Sequence, residues 1–550
     1  MGMTRRTFIG IAVAGTAVGA LPAWDAASAA VSAQPAASPA GDVVGKITVG
    51  YQGWFACIGD NSPINAWWHW SPNSSQPPSP SNSGIKAWPD MSEYSKSYQT
   101  GFAALGNGAA AKLYSNYDAQ STDTHFAWMS QNGCDTAALQ RFNPTGGEGP
   151  IRDAVTALVR TSAESHGVKF YIMYDVSGWT SMQAEIKADW TNKMSAYTSS
   201  SAYAHQNGKP VVGIWGFGFN DSNHPWDAAT CLDVVNWFKS QGCYVMGGVP
   251  TYWRTGVNDS RAGYLDVYHA FNMISPWMVG RIGTAADSDS FYTNVNTGDQ
   301  ADCNANGIDY QPCVLPGDLS ARQRAHGDFM WRQFYNMKRV GAQGIYISMF
   351  DEFNEGNQIA KTAATAAGVP TGSGLLALDE DGTACSSDYY LRLTADGGRM
   401  LKGQIALTAT RPTQPVVSSG GTTVISLRSR ANSMIVTADN AGADPLIANR
   451  TAVGPWEQFD QLDAGNGNIA LRAHANNMIV TAENAGAKAL IANRTSVGGW
   501  ETFKLVHNSN GTVSLLALVN NCYVTADNAG ASPLIANRTA IGTWEQFDLL

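Results

Sequence analysis

Charged residues are scarce in this 550-residue chain, where Asp, Glu, Lys and Arg make up only 14% of the sequence, against about a quarter in average soluble proteins. Basic residues are outnumbered, with 35 Lys and Arg against 44 Asp and Glu. The net charge of −9 argues against nucleic acid as the main partner, because phosphate binding needs a basic surface. Tryptophan and glycine are abundant, at 18 and 56 residues. Few charges and many aromatic rings favour a neutral, hydroxyl-rich ligand such as a sugar, and the length predicts two or more domains.

Long apolar runs are missing beyond the N-terminus, so no membrane-spanning segment is expected in the mature chain. Arg5 and Arg6 precede an apolar run over residues 9–21, which ends in small residues with an A-x-A cleavage pattern. This pattern resembles a twin-arginine export signal over residues 1–29, and an ordinary secretory signal with two arginines is the alternative. Either signal predicts a secreted, extracellular protein, with residues 30–44 as a flexible leader.

A C-x-x-C pair is missing among the eight cysteines, so no structural zinc site is expected, and neither a metal nor another cofactor is predicted. Phosphate-binding, serine-hydrolase and zinc-protease motifs are missing as well. Export permits disulfides. Close spacing favours a bridge between Cys231 and Cys243 and another between Cys303 and Cys313.

The last third of the chain repeats itself three times with a 44-residue period. The segments LIANRTAVGPWEQF, LIANRTSVGGWETF and LIANRTAIGTWEQF align without gaps. Short β-branched strands between Asn/Gly turns predict a closed all-β domain with threefold symmetry, a β-trefoil, over residues 422–550. The Thr-, Pro- and Ser-rich residues 406–421 predict a linker before it. The repeats resemble fascin-like trefoils and the carbohydrate-binding trefoil modules of family 92.

Each repeat carries a Trp-Glu-x-Phe segment at the start of a candidate strand. If the Phe points inward, the Trp three residues earlier points outward in a continuous strand. An exposed indole beside a carboxylate would stack on a sugar ring and accept its hydroxyl protons, and three such sites would hold a polymer by avidity. Packing of each Trp against a neighbouring repeat is one alternative, and protein binding, which the fascin resemblance allows, is another. The predicted sugar-binding residues are Trp456, Glu457, Trp500, Glu501, Trp544 and Glu545.

Residues 45–405 alternate short apolar strands with amphipathic helical stretches, which predicts a parallel α/β fold. Eight candidate strands match the number in a (β/α)8 TIM barrel, so the predicted chain is such a barrel followed by the all-β β-trefoil domain. The candidate strands are residues 47–52, 112–115, 136–140, 169–174, 211–216, 244–248, 266–270 and 344–349.

Chemistry in such barrels takes place at the carboxyl ends of the strands, so the residues that follow each strand are candidates for the site. Aromatic and polar side chains are concentrated at these positions and in the loop that contains residues 67–70. Asp175 is equally consistent with a structural capping role, and His69 with a structural one. The predicted substrate-binding residues are Trp54, Trp68, His69, Asp175, Tyr252, Trp253, Asn272, Trp277 and Asp351.

The strongest catalytic signal is ISMFDEFNEGNQI, residues 347–359, at the end of the last candidate strand. Two glutamates three residues apart, followed by Gly-x-Gln-Ile, resemble the eighth-strand motif of glycoside hydrolase family 99, and the segment also resembles family 71. The opening YQGWF and the Trp/His-rich loop resemble the same group. Family 99 usually has a tryptophan between the glutamates, whereas Phe353 and Asn354 stand here, which leaves the subfamily and the substrate open.

The resemblance implies that Glu355 is the general acid and Glu352 the base of a glycosidic cleavage. In family 99 the base takes the proton of the sugar 2-hydroxyl, which then attacks the anomeric carbon. An α-mannoside or a β-glucoside allows this attack, because the 2-oxygen is trans to the leaving group, and an α-glucoside does not. On an α-glucan, as in family 71, Glu352 would activate water. Asp351 would orient a glutamate or cap the loop.

These features together predict a secreted glycoside hydrolase, expected to be a monomer, that cleaves a polysaccharide of the α-mannan or glucan type. The trivalent trefoil would hold it on the polymer. One alternative is a polysaccharide-binding protein with an inactive barrel, in which the two glutamates form only a solvated acidic turn. The other is a trefoil that binds protein instead of sugar.

Overall fold

The computed structural model describes residues 37–416, 423–464, 468–495, 497–508 and 510–550. The predicted export signal lies outside the described residues. Within the described ranges, every helix is too short or too polar to span a lipid bilayer.

The first part of the chain forms a parallel sheet that curls into a (β/α)8 barrel-like fold. Neighbouring strands pair in chain order, and the first strand also pairs with the last. Most strand residues are buried, because helices cover the outer face of the sheet. The strands are β1 Ile47–Tyr51, β2 Thr136–Arg141, β3 Lys169–Asp175, β4 Lys209–Trp215, β5 Tyr244–Val249, β6 Met273–Pro276, β7 in two pieces (Asp309–Tyr310 and Cys313–Val314), and β8 Ile345–Ile347.

The seventh strand is interrupted. Its first piece pairs only with β6, and its second piece pairs only with β8. Pro312, between the pieces, has no N–H for a sheet hydrogen bond. Gln311 bridges the gap, since its backbone N–H donates to the Ile274 carbonyl at 2.8 Å and its side-chain Nε2 donates to Thr48 Oγ1 at 3.1 Å. The chain between the two pieces therefore completes the ring.

Helices follow most of the strands and cover the barrel. Helix α8 shows how they pack, because Met330, Phe334 and Met337 form one apolar stripe that faces the core. Within residues 37–416 the α-helices are α1 Ala119–Gln131, α2 Gly149–His166, α3 Met182–Asn192, α4 Ala228–Ser240, α5 Leu265–Ala270, α6 Ala285–Phe291, α7 Thr297–Asn306, α8 Asp328–Val340 and α9 Tyr389–Leu401.

Six of the eight predicted strands are confirmed as barrel strands, and two predictions are wrong. Residues 112–115 contribute Lys112–Leu113 to an antiparallel hairpin with Tyr98–Gln99, outside the barrel. Residues 266–270 lie in helix α5. A five-residue segment of mixed polarity is ambiguous between helix and strand. The strands β6 and β7 were missed because the pieces that pair are only two to four residues long.

The end of the predicted leader is fixed against the barrel. The Ser38 N–H donates to Asp309 Oδ1 at 2.9 Å, and Gln206 Nε2 donates to the Pro39 carbonyl at 2.8 Å. Val43 and Val44 are buried in the core. Residues 38–44 therefore cover the end of the barrel where the strands begin.

The described part of the predicted linker is attached to helices α8 and α9. Trp331 Nε1 donates to the Thr408 carbonyl at 3.1 Å, and Thr413 Oγ1 donates to Asp396 Oδ2 at 2.6 Å. The guanidinium of Arg411 also pairs with a carboxylate at the start of α8. Residues 408–413 thus pack on the barrel.

The C-terminal region is all-β and consists of three equivalent units. Each unit contains a hairpin with a β-bulge at the same position of the repeat, and each begins a later strand with a fully buried Phe at 459, 503 or 547. The inward orientation predicted for these Phe residues is confirmed. The strands are β9 Thr423–Ile425, β10 Leu427–Ser429, β11 Ile435–Ala438, β12 Leu446–Arg450, β13 Phe459–Asp463, β14 Ile469–Ala473, β15 Ile479–Ala482, β16 Leu490–Arg494, β17 Phe503–His507, β18 Val513–Ala517, β19 Cys522–Ala526, β20 Leu534–Arg538 and β21 Phe547–Leu549.

The two expected disulfides are not formed, and the eight cysteines, all within the described ranges, are free. Cys231 lies in the first turn of α4, whereas Cys243 follows the end of that helix. The helix between them rises by about 14 Å, which exceeds the roughly 7 Å that a disulfide can bridge between Cα atoms. Cys303 lies in α7, and Cys313 lies in β7, where its Sγ accepts a hydrogen bond from Ser348 at 3.5 Å. Closeness in sequence was therefore a poor guide to pairing.

Candidate active site

A cavity of about 220 Å³ opens at the carboxyl ends of β1, β2, β3, β4, β6 and β8. Parallel strands bring these ends together on one side of a barrel. Aromatic rings and polar groups alternate around its wall. It is lined by Gln52, Trp54, Gln140, Phe142, Asp175, Ser177, Trp215, Trp277, Met349, Glu352 and Glu355.

Both glutamates of the predicted pair line this cavity. A tight turn after β8 brings them together, since the N–H groups of Glu355 and Gly356 donate to the Glu352 carbonyl at 3.2 and 3.1 Å. Glu352 is only 3% exposed, and its Oε1 accepts a hydrogen bond from Gln52 Nε2 at 3.0 Å. Its Oε2 is buried and has no hydrogen-bond partner among the residues that the structure describes. Glu355, by contrast, is exposed at the mouth of the cavity.

Burial changes the acidity of both carboxyl groups. It raises the pKa of Glu352 well above its usual range, and the nearby charges of Glu355 and Asp351 raise it further. Although part of the Glu355 side chain is exposed, the surrounding protein removes water from its carboxyl group and so raises its pKa, and the charge of Lys86 opposes this change. Such neighbouring acids titrate as a pair, so their protons belong to the pair and not to either residue. The raised pKa of both groups favours a state in which the pair holds one proton.

Asp351 is fully buried directly before the first glutamate. Its two oxygens accept hydrogen bonds from the backbone N–H groups of Gln52 and Gly53, at 2.8 and 2.9 Å. Burial raises its pKa to about 6, against the opposing effect of these hydrogen bonds. Asp351 thereby fixes the backbone of Gln52, whose side chain donates a hydrogen bond to Glu352. Asp351 itself contacts the loop and does not line the cavity.

Arg152 on helix α2 was not predicted from the sequence. Its guanidinium donates to the carbonyls of Gln52 and Gly53, at 2.6 and 3.1 Å, and its Nε lies 3.2 Å from Glu148 Oε2. The backbone of the same two residues is thus held by Asp351 through its N–H groups and by Arg152 through its carbonyls. An arginine in a helix far along the chain gives no local signal of this contact.

Trp54 forms part of the wall, but most of its surface is covered. Its indole lies between His69, at a ring-centroid distance of 3.8 Å, and Phe142, at 5.5 Å, with both rings nearly parallel to it. His69 Nε2 lies 3.2 Å from Glu148 Oε1, and burial lowers the pKa of His69. His69 therefore supports Trp54 from behind and does not line the cavity. Trp54 Nε1 is buried and has no partner.

Among the other predicted substrate-binding residues, Asp175 and Trp277 line the cavity and four do not. Trp68 lies against the edge of His69, and Tyr252 lies near Phe291. Trp253 is buried against Tyr268 in the core. These three follow strands or lie in loops at the correct end of the barrel, but their rings point elsewhere.

The prediction for Asn272 is wrong in a more basic way. It rested on a strand over residues 266–270, which is helix α5. Asn272 instead precedes β6, where its Oδ1 accepts a hydrogen bond from the Val245 N–H at 2.9 Å. It therefore lies at the end of the barrel opposite the cavity. Trp277 follows the same strand β6, which explains why it reaches the cavity.

The three tryptophans of the C-terminal repeats are partly exposed, each by 37%. The adjacent glutamates differ from the prediction, because they are buried. The Oε2 atoms of Glu457, Glu501 and Glu545 accept hydrogen bonds from the backbone N–H groups three residues earlier, at 2.7 to 2.9 Å. These residues form tight turns and not continuous strands, so the alternation rule does not apply to them. The carboxylates hold the turns that carry the indoles.

No family model matches the chain, and no curated protein sequence matches it. Among solved structures, two structures of the GH99 endo-α-mannosidase from Bacteroides thetaiotaomicron are similar to this chain. In complex with bis-tris-propane it has 16% identity and a TM-score of 0.47, and in the other structure 15% identity and the same TM-score. Both cover 66% of this chain and 98% of their own. ThreeFoil, a designed threefold-symmetric protein, matches with 22% identity and a TM-score of 0.22, over 23% of this chain and 97% of its own.

Proposed function

We propose that the protein is a secreted glycoside hydrolase in which Glu355 is the general acid and Glu352 the general base. The observation that carries this proposal is the placement of two carboxyl groups of raised pKa in one aromatic-walled cavity at the carboxyl ends of the barrel strands. Glycosidases need such a pair, one group protonated and the other ionised.

The unequal environments of the two glutamates support the division of roles. Glu352 is buried with one oxygen held by Gln52 and the other, Oε2, free to take a proton from a hydroxyl group or a water. Burial raises the pKa of this carboxyl group, so its ionised form is a stronger proton acceptor than an exposed carboxylate. Glu355 lies at the mouth, where the leaving part of a polymer would extend towards solvent.

The substrate we propose is a neutral polysaccharide of the α-mannan or glucan type. On an α-mannan, Glu352 would take the proton of the 2-hydroxyl, whose oxygen would displace the leaving group from the anomeric carbon while Glu355 protonates the departing oxygen. Water would then open the 1,2-anhydro sugar and complete the hydrolysis. On an α-glucan, Glu352 would activate water. The indole rings of Trp54 and Trp215 line the cavity and offer apolar surface to the face of a sugar ring.

The test is digestion of a panel of α-mannans, α-glucans and β-glucans, with NMR of the released sugars. Release that depends on Glu355 supports the proposal, and the products identify the sugar and the linkage. Equal background release by the wild type and by Glu355→Gln would identify the alternative, a polysaccharide-binding protein with an inactive barrel.

We expect kcat/KM to depend on pH as a bell with both limbs above the usual range of carboxyl groups. The active form carries one proton on the pair, and burial raises the pKa of both members, so this form is populated nearer to neutral pH than it is for exposed carboxyls. A pH–rate profile on the polysaccharide identified above checks this. A profile that stays flat down to pH 4 would contradict the assigned pair.

We further propose that the C-terminal region is a β-trefoil that holds the enzyme on its polysaccharide. Three equivalent units, three equivalent bulged hairpins and three equally exposed tryptophans support this proposal. The indoles would stack on sugar rings. The buried glutamates would act only by holding each turn, so the binding residues are the tryptophans and not the carboxylates.

Changing Trp456, Trp500 and Trp544 together to Ala is expected to abolish retention in affinity gels that contain the polysaccharide. A single change should weaken retention only in part, because the remaining sites still act together. Each ring is exposed, so the fold should persist, and circular dichroism would check this. Unchanged retention by the triple variant would favour the alternative of protein binding.

The remaining proposals concern location and partners. We propose that the N-terminal signal directs the chain out of the cell by the twin-arginine route and that the mature protein is a monomer. Mass spectrometry of the secreted protein would locate the cleavage site, and light scattering would give the oligomeric state.

A further inference from the structure

Three hydrogen-bonded polar side chains, Ser177, His224 and Asp221, reach the wall of the cavity and have no part in the proposed acid–base pair. Ser177, which follows β3, lines the cavity, and its Oγ lies 3.0 Å from His224 Nε2. His224 Nδ1 lies 2.7 Å from Asp221 Oδ1. His224 and Asp221 belong to the loop between β4 and α4. None of the three was singled out by the sequence motifs.

The fold makes room for this histidine. Its ring is buried, with Phe219 at a centroid distance of 5.1 Å and Trp215 at 5.5 Å. Gly216 has a φ of 119°, and a Cβ at this position would lie 2.8 Å from His224 Cδ2. Only glycine therefore allows the ring to approach the backbone this closely. The imidazole is held from several sides and cannot turn freely.

The two hydrogen bonds of His224 determine what Ser177 presents to the cavity. Asp221 is a carboxylate, because the hydrogen bond from His224 lowers its pKa although burial alone would raise it. Since a carboxylate only accepts, the proton between His224 and Asp221 lies on Nδ1. Nε2 either accepts from the Ser177 hydroxyl or donates to it, and in both arrangements at least one lone pair of Ser177 Oγ remains for a ligand. Ser177 can therefore accept a hydrogen bond from a ligand, and His224 fixes its position.

Asp175 extends this acceptor surface. It lies two residues before Ser177 on the same wall, and its Oδ1 accepts a hydrogen bond from the Ser177 N–H at 2.9 Å. The Asp175 side chain and the Ser177 hydroxyl thus lie together at the end of β3. Neighbouring acceptors of this kind suit the hydroxyl groups of a sugar ring.

The same residue types can form an acyl-transfer triad, but the geometry favours recognition. Such a triad needs a backbone N–H next to the nucleophile to stabilise the oxyanion. The N–H of Gly178, which follows Ser177, already donates to the Asn223 carbonyl at 2.9 Å. This donor is therefore occupied, whereas the acceptor on Ser177 is available.

We propose that Ser177 is a specificity-determining residue that accepts a hydrogen bond from a sugar hydroxyl, with His224 and Asp221 as the positioning residues that fix its orientation. This inference deepens the proposed function and rests on it. The ligand is a neutral sugar residue whose hydroxyl group donates towards the end of β3.

The test measures kcat and KM of Ser177→Ala and His224→Ala on the polysaccharide that the wild type hydrolyses. Loss of one neutral hydrogen bond of about 0.5–1.5 kcal/mol corresponds to a KM increase of about two- to twelvefold, with kcat nearly unchanged. The double variant should be no worse than the worse single variant, because both changes remove the same contact. His224→Gln, which keeps a group that can hydrogen-bond the Ser177 hydroxyl, should restore part of the loss.

Ser130→Ala is the matched control, because it also removes a serine hydrogen bond but at the opposite end of the barrel. An unchanged KM in Ser177→Ala, with hydrolysis intact in the wild type, overturns this inference alone. Additive losses in the double variant, or losses equal to those of Ser130→Ala, overturn the positioning role. Hydrolysis of p-nitrophenyl acetate that disappears in Ser177→Ala indicates acyl transfer and also overturns it. No hydrolysis of any polysaccharide by the wild type removes the proposed function and this inference with it.

Discussion

Glu355→Gln is expected to lower kcat on a natural polysaccharide by about 10²- to 10⁴-fold, the usual contribution of a general acid. Glutamine has nearly the same shape but no acidic proton, so the leaving oxygen would depart without protonation. Glu355 is exposed at the cavity mouth, and the fold should tolerate the change. Initial rates of sugar release, with thermal unfolding measured alongside, check both expectations.

A second substrate separates the acid from the base. An aryl glycoside with a good leaving group needs little protonation, so Glu355→Gln should lose much less activity on it than on the polysaccharide. Glu352→Gln should lose activity on both substrates, because the base acts at the other side of the bond. Glu164→Gln, on the exposed surface of α2, is the matched control and should behave as the wild type. Equal losses of Glu355→Gln on both substrates would contradict its role as the acid.

Arg152→Met is expected to lower the free energy of unfolding by about 3–5 kcal/mol, as found when one member of a buried charge network is removed. The Arg152 side chain is only 2% exposed, and its charge faces Glu148 and, across two peptide units, Asp351. Without it, the buried carbonyls of Gln52 and Gly53 lose their donors. Urea denaturation followed by tryptophan fluorescence measures the change.

Arg160→Met, about two turns further along α2, provides the comparison. Its side chain is 50% exposed and pairs with Glu164 at 3.8 Å, so its loss should cost less than about 1 kcal/mol. The Arg152 variant should also lose activity, because the loop that carries Gln52 positions Glu352. Equal stability of the two variants would show that the buried network contributes little.

Local sequence patterns were informative where one segment contains the whole signal. Strands such as residues 169–175 are continuous apolar runs, and the Glu352–Glu355 turn lies directly behind its strand, so both could be predicted. Segments of two to four residues, as in β6 and β7, have no such run, and their pairing depends on neighbours far along the chain. Residues 265–270 show the same limit, because this short segment forms a helix although residues 266–270 were predicted to form a strand.

Contacts between distant segments account for most of what could not be predicted in the site. Arg152 reaches Gln52 from 100 positions away, and His224 reaches Ser177 across 47. Periodicity and motifs describe residues that are close in sequence, and they contain no information on such long-range contacts. The same holds for the glutamates of the repeats. Their carboxylates are buried because they accept hydrogen bonds within a tight turn, and the residue spacing does not reveal this turn.

The interrupted seventh strand has a consequence for how the barrel opens. Between β2 and β3 six residue pairs are in register, whereas each piece of the seventh strand forms only two register pairs, with one neighbouring strand. The backbone amide protons of the two β7 pieces should exchange with solvent through local unfolding, before the rest of the sheet unfolds. The barrel thus consists of seven continuous strands and one short, interrupted strand. We expect cooperative unfolding to start at this interrupted strand and not at the strand ends that form the cavity.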